Sequence, residues 1–167
     1  MNRLYKNLED LLKEKIKLYE SFISLLKEEW TCVSKYSYES LQEVITKKEN
    51  KVIQMKALEN NRSYLMLKIA EKLQVQQSTL TLKNIIQIRN NPNKINLAKC
   101  RKILLFQIKQ ISELTEMTKN LMDHSALSLK KSLAYIHSAD EKAQSPYLAN
   151  GKVMEGRVEG RMLSMDV

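Results

Sequence analysis

Glycine and proline are nearly missing from this chain. Its three glycines, Gly151, Gly156 and Gly160, all fall in the last 17 of 167 residues, and its prolines are Pro92 and Pro146 alone. A doubly wound or all-β domain of this length needs many more turn residues, so long helices with few tight turns are expected instead. Aromatics make up only 6% of the residues. No run of about 18 apolar residues occurs, which argues against a membrane span. Met1 to Lys17 mixes charges with leucines and holds no uninterrupted apolar core of the signal-peptide kind. Cys32 and Cys100 are the only cysteines and form no CxxC pair. Without a secretion signal they read as reduced thiols of a cytoplasmic protein.

Chemistry-bearing motifs are missing too. GxGxxG, GxxxxGK(S/T), HExxH and GxSxG do not occur. The only histidines, His124 and His137, are 13 residues apart, whereas ligands on one helix sit three or four apart. Both read as exposed helix residues. Carboxylates are scattered beside lysines, and nothing pairs them in a cleft. No enzymatic activity, metal or cofactor is expected.

One stretch lacks charge of one sign. Between Lys72 and Ser112 there is no Asp or Glu, while Lys72, Lys83, Arg89, Lys94, Lys99, Arg101, Lys102 and Lys109 are basic. Much of the net charge of +9 arises there, since residues 1–29 carry six basic and six acidic side chains. Such a segment suits an anionic partner, including nucleic acid. The plainer reading is a solvated basic face, because no aromatic or glycine-rich nucleic-acid motif accompanies it.

What is present is helical periodicity. From about Asn2 to Tyr36, Leu4, Leu11, Leu18 and Leu25 are seven apart. Tyr5, Leu12, Tyr19, Leu26 and Val33 form a second heptad row beside them, and Leu8 and Phe22 widen the stripe. A helix of about 33 residues would be near 50 Å long and cannot bury that stripe without a partner helix. Glu9 and Lys13 are expected on its surface as a favourable i, i+4 pair. A break follows at Ser34–Ser40, where Ser40 and Glu43 have capping-box spacing. The second helix is expected to run to about Gln74 with Leu41, Val44, Ile45, Val52, Ile53, Met55, Leu58, Leu65, Met66, Ile69 and Leu73 on its apolar side. The short break predicts an antiparallel hairpin. A short helix over Leu80–Ile88 and a turn at Asn90–Asn93 come next. The last long helix is expected over Lys94–His137, with Leu97, Leu104, Ile108, Ile111, Leu114, Leu121, Leu129, Leu133 and Ile136 on one side. Its face thins between Thr115 and Ser132, where Thr118, Ser125 and Ser128 stand among the leucines. This marks a packing weakness or a surface kept for a partner. The fold class predicted is all-α: a long antiparallel hairpin or coiled coil plus a third long helix. A helical domain over 1–138 would be followed by a flexible tail over 139–167.

Four features together resemble the FlgN family of flagellar export chaperones. The first is the plan of three long helices and a loose tail. The second is Leu41-Gln-Glu-Val-Ile-Thr-Lys-Lys-Glu-Asn-Lys51 followed by Leu58-Glu-Asn-Asn-Arg62, similar to the family's leucine start, Lys-Glu pair and Leu-Glu-x-x-Arg segment. The third is Asn120 to Ile136, where the family has Asn-x-x-Asn-x-x-Leu-Leu and a Ser-Leu-x-Tyr-like end; Asp123 and Ala126 depart from it. The fourth is Ser145-Pro-Tyr147-Leu-Ala-Asn-Gly151, similar to a Tyr-Gly-x-x-Gly turn with Leu148 in place of glycine.

The resemblance implies a cytoplasmic type III export chaperone. Such a protein binds hook-associated (hook–filament junction) proteins, prevents their premature assembly and delivers them to the cytoplasmic domain of the export gate. It also implies gate docking through Tyr147 on the tail. The client's amphipathic segment would lie on an exposed helical stripe, and Leu121, Leu127, Leu129, Leu133 and Ile136 are the candidates for that groove. The alternatives are another secretion chaperone or coiled-coil adaptor with different clients, a basic nucleic-acid-binding helical protein, and a structural coiled-coil subunit. A pull-down from lysate would mark the first, a steep salt dependence the second, and stable oligomers without a client the third.

Overall fold

The computed structural model describes residues 1–142 of the chain. They form four α-helices, α1 (Asn2–Ser34), α2 (Tyr38–Leu73), α3 (Leu82–Gln87) and α4 (Lys94–Lys142), with a 3-10 turn at Gln77–Thr79. The described residues contain no strand, and the fold is all-α as the composition predicts. The chain divides into two compact units, Met1–Asp123 and His124–Val167.

In the first unit α1 and α2 form an antiparallel hairpin. Lys15 reaches Glu59 at 2.7 Å near one end, and Lys48 reaches Glu29 near the other. Leu11 and Leu18 pack with Leu58, flanked by Met55 and Leu65. The start of α4 runs parallel to α1: Asn93 and Asn96 donate to Glu9, and Gln107 Nε2 donates to the Ile16 carbonyl at 3.1 Å. Tyr5, Leu8 and Leu12 of α1 meet Met66 and Ile69 of α2, Ile85 of α3, and Leu97, Cys100 and Leu104 of α4 in the main core. Each fully buried leucine of this kind contributes roughly 1.5–3 kcal/mol relative to exposure.

Both long helices of the hairpin end without glycine, and this has a local consequence. Tyr36 and Gln74 each sit at φ 54° in the left-handed region. At the first end the Ser37 N–H donates to the Cys32 carbonyl at 3.0 Å, and at the second the Val75 N–H donates to the Ala70 carbonyl at 3.1 Å. This six-to-one bond closes the last turn of each helix and demands a left-handed residue that is usually glycine. A side chain there costs about 1 kcal/mol.

Several expectations change on contact with the structure. The α2 N-cap is Ser37, and Ser40 is already helical, so the Ser40–Glu43 capping box is not used. Ser37 Oγ instead donates to Ser40 Oγ at 2.9 Å. The short helix begins at Leu82, not Leu80, because the Thr81 hydroxyl caps it by accepting from the Asn84 N–H at 3.2 Å. Glu9 is buried, not on the surface. Val52 and Ile53 of α2 and Ile108 of α4 are exposed, although each lies within an apolar pattern. The α4 helix continues to Lys142, five residues past His137.

Candidate partner-binding surface

Why α4 buries some apolar residues and not others follows from its register. In the first unit Leu97, Cys100, Leu104, Gln107, Ile111, Leu114, Thr118 and Leu121 follow three–four spacing, and all are buried or half-buried. This seam lies along the hairpin in coiled-coil fashion. Two of its members are polar. Gln107 is buried and its Oε1 has no hydrogen-bond partner among the described residues. Thr118 turns its hydroxyl back onto the Leu114 carbonyl at 3.0 Å.

In the second unit the same three–four register falls on Ser125, Ser128 and Ser132. The apolar residues occupy the next position round the helix: Ala126, Leu129, Leu133 and Ile136, again spaced three and four apart. One position is about 100° of rotation. Leu129, Leu133 and Ile136 are 64%, 56% and 55% exposed. The row therefore presents an uncovered apolar strip with coiled-coil spacing. Lys130 and Lys131 flank it, and residues 124–137 contain no Asp or Glu.

The five residues expected to form a groove are thus divided. Leu129, Leu133 and Ile136 share one face. Leu121 is half-buried at the end of the seam of the first unit, and Leu127 is exposed but well round the helix from the row. Ala126 belongs to the row too; the signal for it in the sequence is its register with Leu129, Leu133 and Ile136 rather than its size. Tyr147 lies outside the described residues.

The titratable groups that the fold perturbs are structural. Glu9 is 1% exposed. Its carboxyl is held down to about 2, chiefly by the Lys13 ammonium, then by Asn93 and Asn96, against the opposing effect of burial. Hydrogen bonds from Arg62 and Lys15 likewise lower Glu59 to about 2. Burial pushes the Cys100 thiol up, away from the reactive thiolate. Cys32 and Cys100 are both free thiols. Among the described residues no group of three His, Cys, Asp or Glu could hold a metal ion. Open grooves of about 500 Å³ beside Glu14, Lys17 and Lys51 and of about 390 Å³ beside Lys13 and Cys100 lie in the first unit. No described helix is long and apolar enough to cross a membrane.

The described residues thus form a helical scaffold with a packed core in one unit and an exposed row of apolar residues in the other. The family model described as FlgN protein matches residues 1–155, and the chain belongs to the FlgN family, whose members are flagellar export chaperones. No curated protein and no solved structure matches the chain significantly.

Proposed function

We propose that this protein is a cytoplasmic export chaperone for hook-associated proteins, which it holds on the apolar row of α4 and delivers to the export gate. The observation that carries this reading is the exposed row Ala126, Leu129, Leu133 and Ile136, spaced to receive a helix and left open in the structure. An amphipathic client helix laid on the row would bury the strips of both partners. It would also mask a client surface that otherwise self-associates. Lys130 and Lys131 suit a client with acidic residues beside its apolar stripe. Leu121 and Leu127 flank the contact rather than centre it. Tyr147 serves as the anchor for the gate, since a tyrosine offers large contact area at a cost of few rotors.

The test is co-purification with hook-associated proteins. Leu129→Asp combined with Leu133→Asp should abolish capture while far-UV helicity stays within error of the parent. Recovery of client at the parental yield overturns the row as the binding site. Tyr147→Ala should leave client capture unchanged and weaken binding to the isolated gate domain; an unaltered gate affinity removes that residue from the docking role.

A further inference from the structure

We propose that the outward face of the first half of α4 docks reversibly on an anionic lipid bilayer. On the side opposite the buried seam, Ile95, Lys99, Lys102, Phe106 and Lys109 follow four–three spacing, and all five are exposed. Ile95 and Phe106 are 69% and 62% exposed, and Ile103, Leu105 and Ile108 are also open to solvent. Five large apolar side chains thus face water within 14 residues of a helix whose other side is fully packed. Single exposed hydrophobics need no explanation; a contiguous group does.

Of the three lysines on this face, Lys99 and Lys102 form no ion pair with a described residue, and Lys109 meets Glu113 at 3.6 Å. Lys99 and Lys102, with no acid along α4 before Glu113, give this surface a positive field.

The interleaving selects the partner. Apolar and basic side chains alternate over more than half of the helix circumference, whereas a partner helix reads a stripe of about 100°. A nucleic acid would neutralise the lysines but offers nothing for Ile95, Ile103 or Leu105 to enter. A bilayer interface accepts both kinds of group at once. Aliphatic and aromatic side chains enter the headgroup–acyl boundary, and lysine stems lie along it with their ammonium groups on lipid phosphates.

Flotation of the full chain with vesicles tests this. The protein should float with phosphatidylcholine vesicles containing phosphatidylglycerol, remain behind with phosphatidylcholine alone, and detach as salt is raised. Each lysine lost should weaken binding about fivefold, so Lys99→Glu with Lys102→Glu should abolish flotation. Phe106→Ser should weaken it about tenfold at any salt concentration. All three positions are exposed, so helicity and client capture should not change, and the result stands whatever becomes of the client assignment. Failure to float with phosphatidylglycerol at low salt overturns the proposal, as does equal flotation with both vesicle types. Flotation insensitive to Phe106→Ser, with a single-stranded RNA competing for the face, would assign it to polyanions instead. Tighter capture of a glutamate-flanked amphipathic peptide than of vesicles would assign it to a protein.

Discussion

Leu104 and Leu133 lie on the same helix and have the same side chain, but Leu104 is 8% exposed and Leu133 is 56% exposed. Leu104 sits in the seam that α1, α2 and α3 cover; Leu133 sits in a row that starts one helical position away, where serines occupy the seam register. The contrast separates two uses of one periodicity. In the first unit heptad leucines hold the fold. In the second the same spacing stays exposed to solvent. A helix can change roles along its length by shifting its apolar row by a single residue, with no break in the backbone.

The sharpest way to test this contrast is to truncate each leucine. Leu104→Ala should cost about 3 kcal/mol of stability, read as a lowered denaturant midpoint with unchanged slope. Leu133→Ala should cost no more than about 0.5 kcal/mol. Equal losses would mean that the second row is packed within the chain. Next in size is Glu9, whose buried carboxylate joins α1 to the start of α4. Glu9→Ala should cost about 2 kcal/mol, because Asn93 and Asn96 lose their acceptor. Its folded pKa lies below the ordinary value of 4.5, at about 2. The stabilisation is therefore complete above about 4.5 and is lost as pH falls through about 2. Acid titration of stability should show this loss in the parent and not in Glu9→Gln.

Smaller effects refine the picture of the seam. Gln107→Leu removes a buried acceptor with no partner and should stabilise the first unit by about 1 kcal/mol. An unchanged or lower melting temperature would show that its bond to Ile16 outweighs the orphan oxygen. Tyr36→Gly relieves the left-handed residue at the hairpin turn and should add about 0.5–1 kcal/mol. Thermal unfolding distinguishes this from a strained turn held by tertiary contacts, for which glycine would bring no gain.

Much of the architecture was legible before any coordinates. The near absence of glycine and proline and the seven-residue spacing from Leu4 to Val33 pointed to long helices, and the serine-rich break to a hairpin. Local pattern suffices where apolar residues recur at the helical period. It was less informative about burial. Val52, Ile53 and Ile108 fit an apolar pattern but face solvent, and Glu9 fits a surface ion pair but is buried. In each case the neighbour that decides burial lies far away in sequence: Asn93 and Asn96 take Glu9 inward, and no such partner covers Ile108. The candidate row was half legible. Leu129, Leu133 and Ile136 were marked from spacing, but their separation from Leu121 and Leu127 required knowing which side of α4 the hairpin covers.

The sequence by itself determined that this protein is helical, how many long helices it has and roughly where they begin and end. Those properties arise from hydrogen bonds and side-chain spacing within a few residues of one another. Only the tertiary structure decided which apolar residues became core and which stayed open. Burial depends on what a face meets, and the meeting residues here lie as far apart in the chain as Tyr5 and Leu104.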